Sequence, residues 1–191
     1  MPGLDHFGLL APLYDRLIRP PEAGRLVKLA DLPTRGRLLD AGGGTGRIAA
    51  ALSGLARQII VADESWKMLS RARAKPGLRL VAAHTERLPF PAGAFERVIM
   101  VDAYHHLRDQ EYSLAELLRV CAPGGRVVVE EPDIERVGVW VIALFERLVL
   151  MRSRFRRAEE VAGGFRTLGA EVSVHRQAMT VWIVARVSSR A

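Results

Sequence analysis

Five short apolar segments recur along the chain with helical stretches between them, and this alternation restricts the fold more than any other feature of the sequence. The segments are 36–41 (GRLLDA), 58–62 (QIIVA), 78–82 (LRLVA), 96–101 (ERVIMV) and 125–130 (GRVVVE). Each is rich in Val, Ile or Leu on both alternating faces, as a strand buried on both sides of a parallel sheet must be. Helical patterns occupy about 45–56, 65–74 and 109–121. Strand–helix–strand order of this kind predicts an α/β fold with a parallel sheet covered by helices on both faces. The rhythm breaks near the end, where 170–176 (AEVSVHR) and 180–187 (TVWIVARV) are separated by too few residues for a crossover. They are expected to pair as an antiparallel hairpin.

The 191 residues, 49% hydrophobic and 26% charged, suit one domain with a substantial core. The single cysteine, Cys121, excludes a disulfide scaffold and fits a reducing, cytoplasmic setting. The first residues, MPGLDHFGLLAPLYDR, carry no basic leader before their apolar positions. The formal charge is +7, and 25 of the 28 basic residues are arginine, only Lys28, Lys67 and Lys75 being lysine. Nucleic acid, anionic lipid and acidic small molecules all suit such a charge. The arginines are scattered, however, apart from Arg152, Arg154, Arg156 and Arg157, and a scattered distribution reads as a solvated surface.

Two helical pieces, about 5–18 and 22–30, precede the first strand and are divided by Pro20 and Pro21. They are available to cover a site. Segment 137–151 (VGVWVIALFERLVLM) is apolar almost all round. It is shorter than the ~20 residues a bilayer span needs, so it reads as a buried or oligomer-facing helix or as a lipophilic substrate wall.

The most specific segment is LLDAGGGTGRIAAAL, residues 38–52. Gly42, Gly44 and Gly46 permit a sharp turn and close approach of a ligand. The following helix start offers N–H groups and partial positive charge. The dinucleotide pattern G-x-G-x-x-G/A fails because Arg47 stands where Gly or Ala is required, and no Lys follows to make a phosphate loop. What stands instead is D-x-G-x-G-x-G, with Asp40 closing the strand. A carboxylate there disfavours a pyrophosphate and favours a ligand bearing an ammonium and a sulfonium.

The segment resembles motif I of the class I S-adenosylmethionine-dependent methyltransferases. VADESWKMLSRARA (61–74) is similar to that family's acidic loop, with Asp63 placed 21 residues after Gly42. HTERLPFPAGAFERVIMVDAYHHL (84–107) resembles the LPF loop and fourth strand of the branch that includes ubiquinone and menaquinone biosynthesis C-methyltransferases, and RVCAPGG (119–125) resembles its turn into the fifth strand. The resemblance implies a Rossmann-like seven-stranded sheet, mostly parallel with the C-terminal hairpin antiparallel. It implies one methyltransferase domain over 1–191: a helical cap (1–30), a cofactor core (36–130), a second helical cap (132–158), and a last helix and hairpin (159–187). It further implies S-adenosylmethionine as cofactor, with S-adenosylhomocysteine as product, held by Asp40, Ala41, Gly42, Gly44, Asp63, Glu64, His84, Thr85 and Asp102.

His84 departs from the pattern, since the family commonly has Asp or Asn there to accept from the adenine amino group. A neutral imidazole nitrogen accepts such a bond and a protonated one does not; the alternative is an adenine contact from the Thr85 main chain. The loop after the fourth strand, Asp102 to Leu107, is expected beside the donor sulfur, with His106 or His105 as general base or as packing groups. Tyr14 is a candidate to close over the site. No metal is implied. The tetrapeptide [DN]-P-P-[YFW] of amino-methylating nucleic-acid enzymes is absent, since the chain reads Val101-Asp102-Ala103-Tyr104. Cys121 is expected far from the site. A small, aromatic or lipophilic acceptor is the leading expectation. An RNA- or protein-directed methyltransferase, or a non-catalytic S-adenosylmethionine-binding protein, is the alternative.

Overall fold

A computed structural model describes residues 23–136 and 154–189. In chain order the elements are α1 (Ala23–Leu29), β1 (Arg37–Ala41), α2 (Arg47–Ala51), β2 (Gln58–Asp63), α3 (Trp66–Ala72), β3 (Leu78–Ala82) and β4 (Phe95–Val101). They are followed by α4 (Gln110–Val120), β5 (Cys121–Pro132), α5 (Ala158–Thr167), β6 (Glu171–Gln177) and β7 (Thr180–Arg186). Short 3₁₀ turns at Thr85–Arg87 and Tyr104–His106 follow β3 and β4. The expected helix at 5–18, the apolar segment 137–151, Tyr14 and Arg152 lie outside the described residues.

The seven strands form one sheet in the order β3-β2-β1-β4-β5-β7-β6. β1 through β5 pair in parallel, whereas β7 runs antiparallel to both β5 and β6. The hairpin therefore forms as expected, and its second strand is the one that joins the sheet, with Glu130 opposite Trp182. β1 lies where the strand order reverses: the chain builds outward through β2 and β3, then returns to the other side with β4. A crevice opens at the carboxyl ends of strands at such a switch point.

Both faces of the sheet are covered. On one, Leu39, Val98, Met100, Val127 and Ile183 pack against Leu114 and Leu117 of α4 and Phe165 of α5. On the other, Leu38, Ile59, Val61, Ile99 and Val128 pack against Leu26 of α1, Ile48 of α2 and Leu69 of α3. Burying apolar side chains on both faces is what fixes these strands as central.

The helices start where the sequence supplies a cap. The Ser65 hydroxyl accepts from the Met68 N–H at 3.4 Å, and the Asp109 carboxylate from the Tyr112 N–H at 3.0 Å. The helix expected at 45–56 spans only Arg47–Ala51. Gly46 is left-handed at φ 70° on one side and Gly54 at φ 81° lies in the turn on the other, which leaves a single helical turn between them. β5 is longer than expected because it begins at Cys121, with a register shift between Phe95 and Arg97 of β4 that absorbs Ala122 to Gly125.

Candidate functional site

The opening at the switch point is floored by the glycine loop that leaves β1. Gly42 has φ 69°, and a Cβ there would stand 2.7 Å from the Cβ of Ala103 in the turn after β4. Loop and turn are thus in backbone-level contact, which only glycine allows at this φ. The amides of the loop itself are spent within the protein. Gly42 donates to the Ala62 carbonyl at 2.7 Å, Gly44 to Asp63 Oδ2 at 2.8 Å and Gly46 to the Gly43 carbonyl at 2.8 Å. The reason is the end of β2, whose carbonyl and carboxylate reach the loop first. What the loop presents to a ligand is room.

Asp40 lies beneath this loop, 1% exposed, and a Cβ at Gly43 would come within 2.6 Å of its carboxylate. Neither oxygen makes a hydrogen bond of ordinary length and angle among the described residues, and the backbone donor that bears on the carboxyl is the Ala49 N–H. Burial, and secondly the charge of Asp63, push its pKa up to about 7; the Ala49 N–H and the Arg47 charge temper the rise.

Around the loop stand acids at two other strand ends. Asp63, closing β2, is partly exposed; besides Gly44 it accepts from the Ser65 N–H at 2.8 Å. Glu64 and His84, expected separately as cofactor residues, are brought together from β2 and β3: Glu64 Oε2 lies 2.8 Å from His84 Nδ1. With Nδ1–H directed at a carboxylate, the neutral imidazole carries its lone pair on Nε2. Thr85, next in the chain, is buried.

The turn after β4 forms the other wall. Asp102 adopts φ 51°, a conformation few side chains enter and that Asp tolerates, and its N–H donates to the Glu130 carbonyl at 3.0 Å. Glu131 organises the next three residues: Oε1 accepts from the Ala103 and Tyr104 N–H groups at 3.1 and 2.9 Å, and Oε2 lies 2.5 Å from His105 Nδ1. His105 is buried and stacks on Phe155, with ring centroids 4.4 Å apart and planes at 14°. The Arg154 N–H donates to its carbonyl at 2.7 Å. The His106 ring lies 3.9 Å from that of His105 and is partly exposed. Burial, and secondly His105, pull the His106 pKa down to about 3, so this imidazole is neutral at physiological pH.

Beside this turn, a groove of about 360 Å³ between α4 and α5 is lined by Tyr104, Leu114, Arg156, Val161 and Gly164. Gln110 closes the region, donating to the Tyr104 and Arg154 carbonyls at 3.1 and 2.7 Å. Arg156 donates to Gln110 Oε1 at 3.2 Å and stands 3.8 and 3.9 Å from Glu111 and Glu160, so this member of the arginine cluster is paired with acids of the helices. Cys121 lies at the opposite, amino end of β5, buried, its thiol pushed up to about 12 by burial.

Glu130, Glu131, Gln110 and Phe155 are not singled out by the sequence. A signal existed for the first two: a strand of three valines ending in Glu-Glu puts two carboxylates at the edge of the opening. Glu130 is buried, accepts from Trp182 Nε1–H at 2.7 Å, and is pushed up to about 7 by burial. Gln110 and Phe155 carry no local pattern.

The family model described as "Methyltransferase domain" matches residues 39–129, from the middle of β1 to the last valine of β5. Over these residues the chain is similar to S-adenosylmethionine-dependent methyltransferases of class I. Curated relatives of this domain include a demethylmenaquinone methyltransferase of Thermus thermophilus, 40% identical over 139 residues, or 65% of this chain and 63% of that protein. A ubiquinone/menaquinone biosynthesis C-methyltransferase of Pseudomonas fluorescens is 33% identical over 115 residues, 55% of this chain and 45% of that protein. The chain thus spans between about half and two thirds of the length of these relatives. A solved S-adenosylmethionine-dependent methyltransferase of Thermotoga maritima superposes with a TM-score of 0.76 at 25% identity, covering 94% of this chain and 97% of that one.

The methyltransferase cofactor, S-adenosylmethionine, fits the opening on two observations. A strip without side chains runs from Gly42 to Gly44, where a Cβ would collide with Ala103 or stand 3.3 Å from Met68. Acids at the ends of β2 and β4 (Asp63 and Asp102) set negative charge around it in a chain of net +7, and Asp40, in β1, keeps a buried carboxyl with no hydrogen bond of ordinary geometry among the described residues. A sulfonium and an ammonium are the charges such a place selects.

Proposed function

We propose that the protein transfers a methyl group from S-adenosylmethionine to a ring carbon of a small, lipophilic acceptor of the quinol type. The observation that carries this reading is the 40% identity to a demethylmenaquinone methyltransferase, joined to a glycine floor packed directly against the histidine-bearing turn. Bound S-adenosylmethionine supplies a methyl group on a cationic sulfur, already activated for in-line displacement. The chain supplies alignment, exclusion of water and a proton acceptor.

In this reading Ala41, Gly42 and Gly44 line the methionine end of the cofactor, with Asp40 below and Asp102 beside contributing negative potential. Asp63, at the end of β2, accepts from the ribose hydroxyls. His84, oriented by Glu64, offers Nε2 to the adenine amino group, and the Thr85 main chain lines the same edge. The histidine pair takes the acceptor's hydroxyl proton, which makes the ring carbon of a quinol nucleophilic; once that carbon carries the methyl group it sheds its own hydrogen as a proton and the hydroxyl is restored, so one proton leaves for each methyl gained. His106, neutral and partly exposed, meets the acceptor first and positions its hydroxyl; His105, whose Nδ1–H Glu131 holds, is the base. A single cysteine accords with a cytoplasmic setting, and no helix among the described residues is long and apolar enough to cross a membrane.

The test is methyl transfer to reduced demethylmenaquinone, followed by mass spectrometry of the quinone. A gain of one methyl group on carbon is expected, lost in His106→Gln while S-adenosylhomocysteine binding is kept. Labelling of RNA or protein fractions with the quinol left unmodified would replace this reading by the macromolecular one.

A further inference from the structure

We propose that Glu131 is a positioning residue of this site, one carboxylate that sets both the backbone of the β4 turn and the tautomer of His105. The proposal rests on the methyl-transfer reading for its catalytic consequence, and on geometry alone for its structural content.

The two oxygens are divided between two tasks. Oε1 gathers the successive N–H groups of Ala103 and Tyr104 at 3.1 and 2.9 Å, which close the turn directly after the left-handed Asp102. Oε2 takes His105 Nδ1 at 2.5 Å. Both groups are buried, so their hydrogen bonds are shielded from competition with water. A carboxylate has no proton to give when ionised, so the proton of a neutral His105 resides on Nδ1 and the ring lone pair on Nε2. The ring is locked in that orientation by Phe155 stacked on one side and by His106 against it. Glu131 thereby settles which nitrogen of His105 can take a proton, and it settles where the turn stands relative to Gly42, whose missing Cβ leaves room for Ala103. Its position on β5, beyond the last residue of the matched family segment, keeps it on a rigid element facing the turn.

Glu131→Gln makes the division visible. A glutamine that keeps its oxygen on the two turn N–H groups must aim its NH₂ at His105 Nδ1, which becomes an acceptor, and the ring proton moves to Nε2. The experiment is ¹⁵N–¹H correlation of the histidine rings in the full chain, with and without S-adenosylhomocysteine, beside kcat and KM with the quinol acceptor. In the unmodified protein His105, assigned by its loss in His105→Gln, is expected as the Nδ1–H tautomer. In Glu131→Gln it is expected as Nε2–H, with S-adenosylhomocysteine affinity changed less than ~3-fold and kcat lowered about 100-fold, the order a misplaced proton acceptor produces. Glu131→Asp, shorter but still a carboxylate, is expected to restore Nδ1–H in part.

An Nε2–H tautomer in the unmodified protein overturns the proposal even if the glutamine variant does not fold. So does an unchanged tautomer or an unchanged kcat in that variant. Absence of methyl transfer to the quinol by the unmodified protein overturns the proposed function instead, and the ring spectra still decide the role of Glu131.

Discussion

Gly42→Ala tests the contact on which the site is built. The added Cβ falls 2.7 Å from Ala103 Cβ, at least 0.7 Å inside the 3.4 Å where ordinary van der Waals contact begins. Ala103 Cβ is tied to its backbone, so relief requires the loop and the turn to separate. Overpacking of this kind costs about 1–3 kcal/mol, and an L-residue held near φ 69° adds roughly 1–2 kcal/mol. The expected loss of stability is therefore about 2–5 kcal/mol, read as a lower urea midpoint at unchanged slope. Calorimetry with S-adenosylhomocysteine reports the site, because moving Ala103 moves Asp102 and the histidine pair with it. Ala103→Gly in the same chain removes the collision and leaves the backbone strain, so it should recover the larger share of both losses. Recovery of neither would refute the contact as the cause, and so would a Gly42→Ala variant within ~0.5 kcal/mol of the unmodified protein.

Asp40→Asn should change the pH dependence of stability. A carboxyl whose pKa is about 7 folded and 3.8 unfolded stabilises the fold fully only below the lower value. That stability is lost as pH rises toward 7, so the asparagine variant should gain on the unmodified protein between pH 4 and 7 in denaturant titrations; equal differences at both ends would contradict the burial of Asp40. His106→Gln should show the opposite slope: a histidine pulled down from 6.5 to about 3 gives stability that is lost as pH falls between those values, and the glutamine variant should lose less on acidification. His84→Ala should weaken S-adenosylmethionine binding while His84→Asn, which keeps an acceptor, retains most of it. Equal affinities for the two variants, measured by calorimetry, would remove His84 from the adenine edge. Cys121, 2% exposed and pushed up to about 12, should resist thiol reagents at pH 8 and titrate as one equivalent in urea; fast reaction of the folded protein would contradict its burial.

The parts of the site readable in the sequence were those whose signal is local. The run from Asp40 to Gly46 writes its own turn, and Asp63 stands at the end of the next strand. The hairpin of β6 and β7 was legible because so short a loop permits nothing else. Helix ends were legible where a side chain caps them, at Ser65 and Asp109. The length of α2 was not, because alanines and leucine favour continuation through residue 56 while the flanking left-handed glycines stop it. Glu131 lies 26 residues from His105, and Phe155 stacks on that ring from a segment beyond β5. No periodicity links positions so far apart.

By itself, then, the sequence determined the alternation of strand and helix, the glycine turn at the end of β1 and the acid after β2. These follow from burial patterns and backbone freedom within about ten residues. Only the tertiary structure decided that Glu64 orients His84, that the loop amides turn inward to β2, and that Glu131 holds the histidine turn. Those outcomes depend on which strand ends the sheet order sets side by side. That order is a property of how the two apolar faces are buried together, and no single segment carries it.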